Sequence, residues 1–228
     1  MAAVNSKRAD PGAPSVRLRL MDAAESLFAD FGYRGVSVRQ IAAAAKVNLG
    51  SLPYHFRTKE DLFREVLLRR AEPMRAERRR RLAELAESGR KPELEDLMVA
   101  LLEPAFRTNR ENEAFRRILG RTSMDPTPEI KQIMLDLYNQ EFMTVPGALR
   151  QFFPDMDAKE FHWKLNCFYG VMLWVQADTG KIQSIAGDDF DTANEEETLR
   201  HVIPFLAAGF RAQMSRRPAG RPQASPRS

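Results

Sequence analysis

Apolar positions recur along this chain with a helical period. Leu20, Ala24, Leu27, Phe28 and Phe31 fall at i, i+4, i+7, i+8 and i+11, one face of a first helix that starts near Ser15. Gly32 is expected to end it, because glycine suits a left-handed cap. Ser37, a favoured N-cap, predicts a second helix of strong helix formers over 38–45. Lys46-Val47-Asn48-Leu49-Gly50 reads as a turn and the start of a short third helix ending near Phe56. Thr58 and Asp61, three apart, open a long fourth helix in the manner of a capping box, with Asp in place of Glu. Pro73 inside it is expected to kink or split it. Beyond Lys91-Pro92 the spacing predicts helices over 93–108, 111–121, 127–152, 158–183 and 191–215. Strand-like alternation and internal repeats are absent, so the fold class is all-α.

Residues 1–14 and 216–228 are rich in Pro, Gly, Ser and Arg and poor in apolar side chains, and they read as a disordered basic arm and a disordered tail. Between them the expected organisation is a helix-turn-helix domain over 15–60 and a larger helical domain over 61–215. Charge follows the same division. Residues 1–60 hold nine Lys/Arg against five Asp/Glu, whereas residues 92–210 hold eleven against twenty. A basic first part beside an acidic body suits a polyanion partner for the first part only. The N-terminus has no apolar stretch of signal-peptide length and no apolar run is long enough to span a bilayer. Cys167, the single cysteine, excludes an intramolecular disulfide, and its apolar neighbours predict a buried structural thiol. The expected location is the cytoplasm, at the nucleoid, with no membrane partner.

A helix, a short turn and a second short helix is the arrangement that carries a helix into the DNA major groove. Such a helix needs one face for the core and one for base edges. Over 47–56, Val47, Leu52 and Phe56 form the apolar face, which leaves Leu49, Gly50, Ser51, Tyr54 and His55 outward. Gly50 and Ser51 are small enough for close approach, and Tyr54 and His55 can donate to phosphates. Lys59 sits at the start of the next helix, where free amides also favour phosphate.

Three linked segments resemble the DNA-binding domain of the TetR family of repressors. They are Ser37-Val38-Arg39-Gln40-Ile41-Ala42, Val47 through Phe56, and Thr58-Lys59-Glu60-Asp61-Leu62. The resemblance covers about residues 15–70. It implies that Ser37 and Arg39 meet the phosphate backbone and a base edge, that Leu49, Gly50 and Ser51 face bases, and that Tyr54, His55 and Lys59 hold phosphates. Pro53 departs from the pattern, standing where the family usually has a phosphate-binding Tyr. A proline there is expected to end the recognition helix early or tighten its last turn. The resemblance also implies a homodimer on a palindromic operator, joined through the last two long helices, with a small-molecule effector. Arg69-Arg70-Ala71-Glu72-Pro73 with the basic helix after it, and Glu160-Phe161-His162-Trp163-Lys164-Leu165 leading to Phe168-Tyr169-Gly170, resemble the PsrA-like, fatty-acid-responsive branch, which implies a fatty acid or acyl-CoA.

The C-terminal aromatics and methionines bear on that effector. Phe106, Phe115, Phe142, Trp163, Phe168 and Met172 are the candidates to line an apolar cavity, with core packing or a subunit interface as the alternative for each. His55, His162 and His201 stand far apart, no zinc spacing occurs, and Thr179-Gly180-Lys181 lacks the upstream glycine of a phosphate loop. No cofactor, metal or catalytic set is therefore expected. The arginine run 78–81 reads as a solvated helix face. An enzyme or carrier on a helical bundle and a nonspecific DNA-coating protein are the competing classes; the first lacks a catalytic constellation, and base-facing residues at 49–51 argue against the second.

Overall fold

The computed structural model describes residues 15–212 apart from 124, 143, 178–180, 188–189 and 191–193, and for 138–142 it describes the backbone. The expected arm over 1–14 and tail over 216–228 lie outside the described residues. The described residues form helices and no strand: α1 (Val16–Phe31), α2 (Val38–Ala44), α3 (Leu52–His55), α4 (Lys59–Glu87), α5 (Leu94–Glu111), α6 (Glu113–Thr122), α7 (Pro128–Phe142), α8 (Thr144–Phe152), α9 (Ala158–Ala177), α10 (Gln183–Ala186) and α11 (Glu195–Arg211). None of these is long and apolar enough to cross a membrane.

The ends of α1 follow from its sequence. Ser15 Oγ accepts the Leu18 N–H at 3.2 Å, and Gly32, at φ +69°, donates its N–H to the Phe28 carbonyl at 2.9 Å. Leu20, Ala24 and Phe28 are buried as the periodicity predicts, but Phe31 is 60% exposed. Tyr33 takes its place in the core, stacking on Phe28 at 5.9 Å and tilting against Phe63 at 5.1 Å between centroids.

Three boundaries differ from the periodic reading. Helix α4 runs unbroken through Pro73, which is exposed. The turns on both sides of the proline are anchored, by Arg69 and Arg70 to Glu25 before it and by Arg75 and Arg78 to backbone carbonyls after it. Those anchors outweigh one missing backbone bond. The helix expected over 127–152 is two helices, and Pro146 falls in the first turn of α8, where an absent N–H costs nothing. The segment expected as one helix to 183 ends at Ala177, with α10 a separate short turn.

Two apolar clusters organise the interior. One joins α1–α4 to α6 and α7: Leu20, Phe28, Ile41, Leu52 and Phe63 share it with Phe115, Ile118, Ile130 and Ile133. The other joins α5, α8, α9 and α11 through Met98, Leu101, Leu149, Phe168, Leu206 and Phe210. Each fully buried large apolar side chain contributes roughly 1.5–3 kcal/mol. Charged links reinforce the first cluster. Glu25 on α1 is buried and accepts from Arg69 and from Arg70 Nε at 2.9 Å, and Asp30 pairs with Arg117 of α6 at 3.0 Å. The arginine run 78–81 is split by the helix. Arg79 and Arg80 are exposed, with Arg80 paired to Glu77 and Glu84. Arg81 bridges Glu77 to Glu103 of α5. Arg78 is buried and donates to the Leu101 carbonyl at 2.9 Å, so it is not part of a solvated face.

Candidate nucleic-acid interface and ligand cavity

Helix α2 opens with a full capping box. Gln40 N–H donates to Ser37 Oγ at 3.3 Å, and the Ser37 N–H donates to Gln40 Oε1 at 2.8 Å. It closes with Lys46 N–H on the Ala43 carbonyl and Val47 N–H on the Ala42 carbonyl, the pair of hydrogen bonds of a Schellman turn. Lys46 holds the left-handed position of that turn at φ +54°, where glycine is the favoured residue.

The recognition segment then forms in two pieces, a 3-10 turn over Leu49–Ser51 and the four residues of α3. Asn48 starts it, accepting the Gly50 N–H on Oδ1 at 2.9 Å, while its carbonyl accepts the Ser51 hydroxyl at 2.7 Å. The sequence reading passed over Asn48; an Asx residue just ahead of a short helix is the signal that marks it. Pro53 occupies the second position of α3. It therefore opens the α-helical turn rather than ending the recognition helix, because its missing N–H falls among the orphan donors of a helix start.

The faces divide as the pattern implies. Leu52 and Phe56 are buried and Val47 packs partly buried against the same core. Leu49, Gly50, Tyr54 and His55 are exposed, Tyr54 at 88%, and Ser51 is half-buried. Ser37 and Arg39 are exposed at the start of α2. A Cβ on Gly50 would meet only Asn48 Oδ1, at 3.4 Å, so the fold itself does not demand a glycine there.

Lys59 differs from the others. Its ammonium lies 4.0 Å from the centre of the Tyr33 ring, and partial burial lowers its pKa. Tyr33 in turn donates its hydroxyl to Glu60 Oε1 at 2.5 Å. Burial first, and then this bond, push the phenol pKa up, while the same bond holds the Glu60 carboxyl below its usual range. The start of α4 is thus braced by a Lys59–Tyr33–Glu60 set as well as by its cap, Thr58 Oγ1 accepting the Asp61 N–H at 3.0 Å.

A cavity of about 650 Å³ opens behind the middle of α4, walled by α4, α5, α6, α7, α8 and α9. Its lining draws on both apolar clusters, with Phe115, Met134 and Leu137 from one and Leu101, Phe168 and Met172 from the other. Of the residues expected to line a cavity, Phe115, Phe168 and Met172 meet there. Phe106 is buried in the second cluster instead, and Trp163 is 56% exposed on the outer face of α9. The Phe142 side chain lies outside the described residues. Cys167 is exposed on the same outer face as Trp163, not buried, because the apolar inward stripe of α9 is Phe161, Leu165, Phe168 and Met172. The polar lining includes Arg75, Arg78, Asn109, Thr122 and Gln176, which helix periodicity alone did not single out. Among the described residues no three His, Cys, Asp or Glu side chains stand together as metal ligands.

Residues 20–66 match the model described as bacterial regulatory proteins, tetR family, and residues 97–209 match the tetracyclin repressor-like C-terminal domain. A 51-residue segment is 47% identical to the HTH-type transcriptional repressor KstR2 of Rhodococcus jostii (strain RHA1), covering 22% of this chain and 25% of that protein. A 58-residue segment is 41% identical to KstR2 of Mycolicibacterium smegmatis, covering 25% of this chain and 28% of that protein. The chain thus matches only about a quarter of the length of these relatives. Among solved structures, the fatty acid degradation regulator FadR from Bacillus halodurans superposes with TM-score 0.65 at 17% identity, over 91% of this chain and 100% of that one. FadR from Bacillus subtilis in complex with stearoyl-CoA gives 0.63 at 16%, over 84% and 98%. At such identities the likeness is one of fold. With the DNA-binding and C-terminal models matched in order along an all-helical chain, this protein belongs to the TetR family of bacterial transcription regulators, a family of regulators and not of enzymes.

Proposed function

We propose that this chain is a ligand-responsive transcriptional repressor that binds palindromic operator DNA as a homodimer and releases it on taking up a small apolar effector, a fatty acid or acyl-CoA. Residues 15–60 read the DNA, and 61–215 sense the effector and dimerise. The observation that carries the reading is the recognition segment, whose Leu49, Gly50, Tyr54 and His55 are exposed while Leu52 and Phe56 anchor it to the core. Leu49, Gly50 and Ser51 face the bases in this reading, Tyr54, His55 and Lys59 hold phosphates, and Ser37 and Arg39 meet the backbone and a base edge. Protein of this kind works on nucleoid DNA in the cytoplasm.

The apolar walls of the cavity support the effector class, as does the stearoyl-CoA held by the Bacillus subtilis relative in fold. Phe115, Phe168 and Met172 contact it in this reading. The outer faces of α9 and α11 support the dimer. Trp163, Cys167, Gly170 and Trp174 form one exposed stripe, and Pro204, Phe205, Ala208 and Gly209 another. Small and aromatic residues at helical spacing are what a close helix–helix contact between copies uses. A twofold dimer then presents two recognition segments to two half-sites. Effector in the cavity favours a state in which α4 has moved and the two segments no longer match the groove spacing.

Titration against the DNA upstream of its own gene, with scrambled DNA as control at physiological salt, tests the reading. Specific binding tighter by about a thousandfold is expected. Stearoyl-CoA is expected to weaken it, and Arg39→Ala to abolish it while leaving effector binding intact. Equal, weak binding to all DNA, in this titration and in a genome-wide selection of bound fragments, would sink it.

A further inference from the structure

The cavity wall holds one polar pair that the packing does not complete. Asn109 of α5 is 5% exposed and donates Nδ2–H to Gln176 Oε1 of α9 at 2.7 Å. Its Oδ1 is sealed from solvent and has no donor. Both residues line the cavity. Two hydroxyls of the lining have turned inward to their own helix, while Arg75 and Arg78 donate to the Leu137 and Leu101 carbonyls. Thr122 donates its hydroxyl to the Ile118 carbonyl at 2.9 Å, and Ser123 to the Leu119 carbonyl at 2.7 Å. Around the amides the wall is apolar: Leu102 and Ala105 precede Asn109 by two turns and one on α5, and Met172 and Leu173 precede Gln176 by one turn on α9. An acceptor left without a donor in such surroundings costs free energy that a fully apolar pair would avoid.

We infer that this amide pair is a specificity element and that the effector is an acyl chain carrying a hydroxyl group, bound with that hydroxyl against Asn109. The inference rests on the acyl-effector reading above and adds to it the polar group on the chain. A hydroxyl is the group that fits, because it both donates and accepts. It donates to Oδ1 with the amide as described, and it accepts from Nδ2 if the two amides are turned over together. A keto oxygen serves only the second arrangement, and a bare methylene serves neither. Because Oδ1 is sealed in this structure, the inferred complex has the Asn109 amide turned toward the cavity so that Oδ1 meets the ligand hydroxyl, with Gln176 remaining the partner of Nδ2.

Calorimetric titration of the full chain with dodecanoic acid, and with its positional hydroxy isomers walked from the carboxyl end to the tail, tests this. At least one isomer is expected to bind about tenfold tighter than the parent acid. Asn109→Leu is expected to remove that advantage while keeping the affinity for dodecanoic acid, and Gln176→Met to reduce it. The double variant N109L/Q176M, with both amides replaced by apolar groups of similar size, is expected to melt no lower than the parent protein when ligand-free. Isomers that bind no tighter than dodecanoic acid would overturn the inference and leave the acyl reading standing. So would an advantage that survives Asn109→Leu, or a double variant melting more than about 3 °C lower, which would make the pair a structural tie. Absence of binding by every acid would overturn this inference, and absence of binding by stearoyl-CoA as well would overturn the acyl reading with it.

Discussion

Lys46 carries a backbone conformation that its side chain disfavours, at φ +54° in the turn between α2 and the recognition segment. Lys46→Gly is expected to raise stability by about 1 kcal/mol, read as a shift in the midpoint of urea unfolding at constant slope. Gly50 is the converse case. Its backbone lies outside the left-handed region and an added methyl meets nothing closer than 3.4 Å. Gly50→Ala is therefore expected to leave the melting temperature within about 2 °C and still weaken operator binding by about tenfold or more, since the methyl would stand between the turn and the base edges. Equal loss of both would place the glycine's role in folding. Tyr33 and Glu60 link stability to pH. The carboxyl is held below its usual range chiefly by the phenol, so its contribution is present at neutral pH and is lost as pH falls through the lowered pKa. Tyr33→Phe is expected to flatten the acid limb of stability against pH and to return the Glu60 carboxyl toward its usual range, followed by NMR titration. At this scale Ser37, Thr58 and Gly32 were legible in the sequence, because caps depend on neighbours in the chain. The Tyr33–Glu60 bond and the Glu25–Arg70 pair were not, since their partners lie 27 and 45 residues apart.

Helix α4 shows how tertiary anchors override a local breaker. Sequence places a proline in its interior and expects a kink or split, yet the helix is continuous, with Glu25 on one side and two backbone carbonyls on the other anchoring the turns around the proline. Glu25→Ala removes the acceptor shared by Arg69 and Arg70 and is expected to cost about 2 kcal/mol, discounted from a fully buried pair because both arginines keep part of their exposure. Chemical denaturation checks that figure, and no loss would mean that water replaces the pair. The recognition segment teaches a similar lesson about Pro53. Periodicity cannot tell a 3-10 turn from the first turn of an α-helix, so the proline was read at the wrong end of the helix it opens. The ends of the later helices are hidden for a related reason: Pro146 marks a helix start, and apolar spacing runs alike through α7 and α8.

The described residues are built around two apolar clusters with the cavity where they meet. The all-α class and the exposed face of the recognition segment were legible from period and motif, whereas the cavity was half legible, because apolar periodicity marks what is buried and not which buried side chains face empty space. Phe106 and Phe168 have the same sequence signature and different surroundings. The outer stripes of α9 and α11 predict the assembly. Phe205 is 67% exposed, and Phe205→Glu is expected to convert a dimer to a folded monomer in sedimentation, with helicity unchanged. A parent protein that sediments as a monomer would refute the dimer outright. The first cluster carries a consequence for modular engineering. Phe115, Ile118, Ile130 and Ile133 belong to the same core as the DNA-reading helices. A chimera cut after residue 60 would graft a foreign head onto an apolar seam evolved for another, whereas an exchange that carries the first half of α4, α6 and α7 along with the head keeps that cluster whole. The portable unit of this protein is discontinuous in the chain.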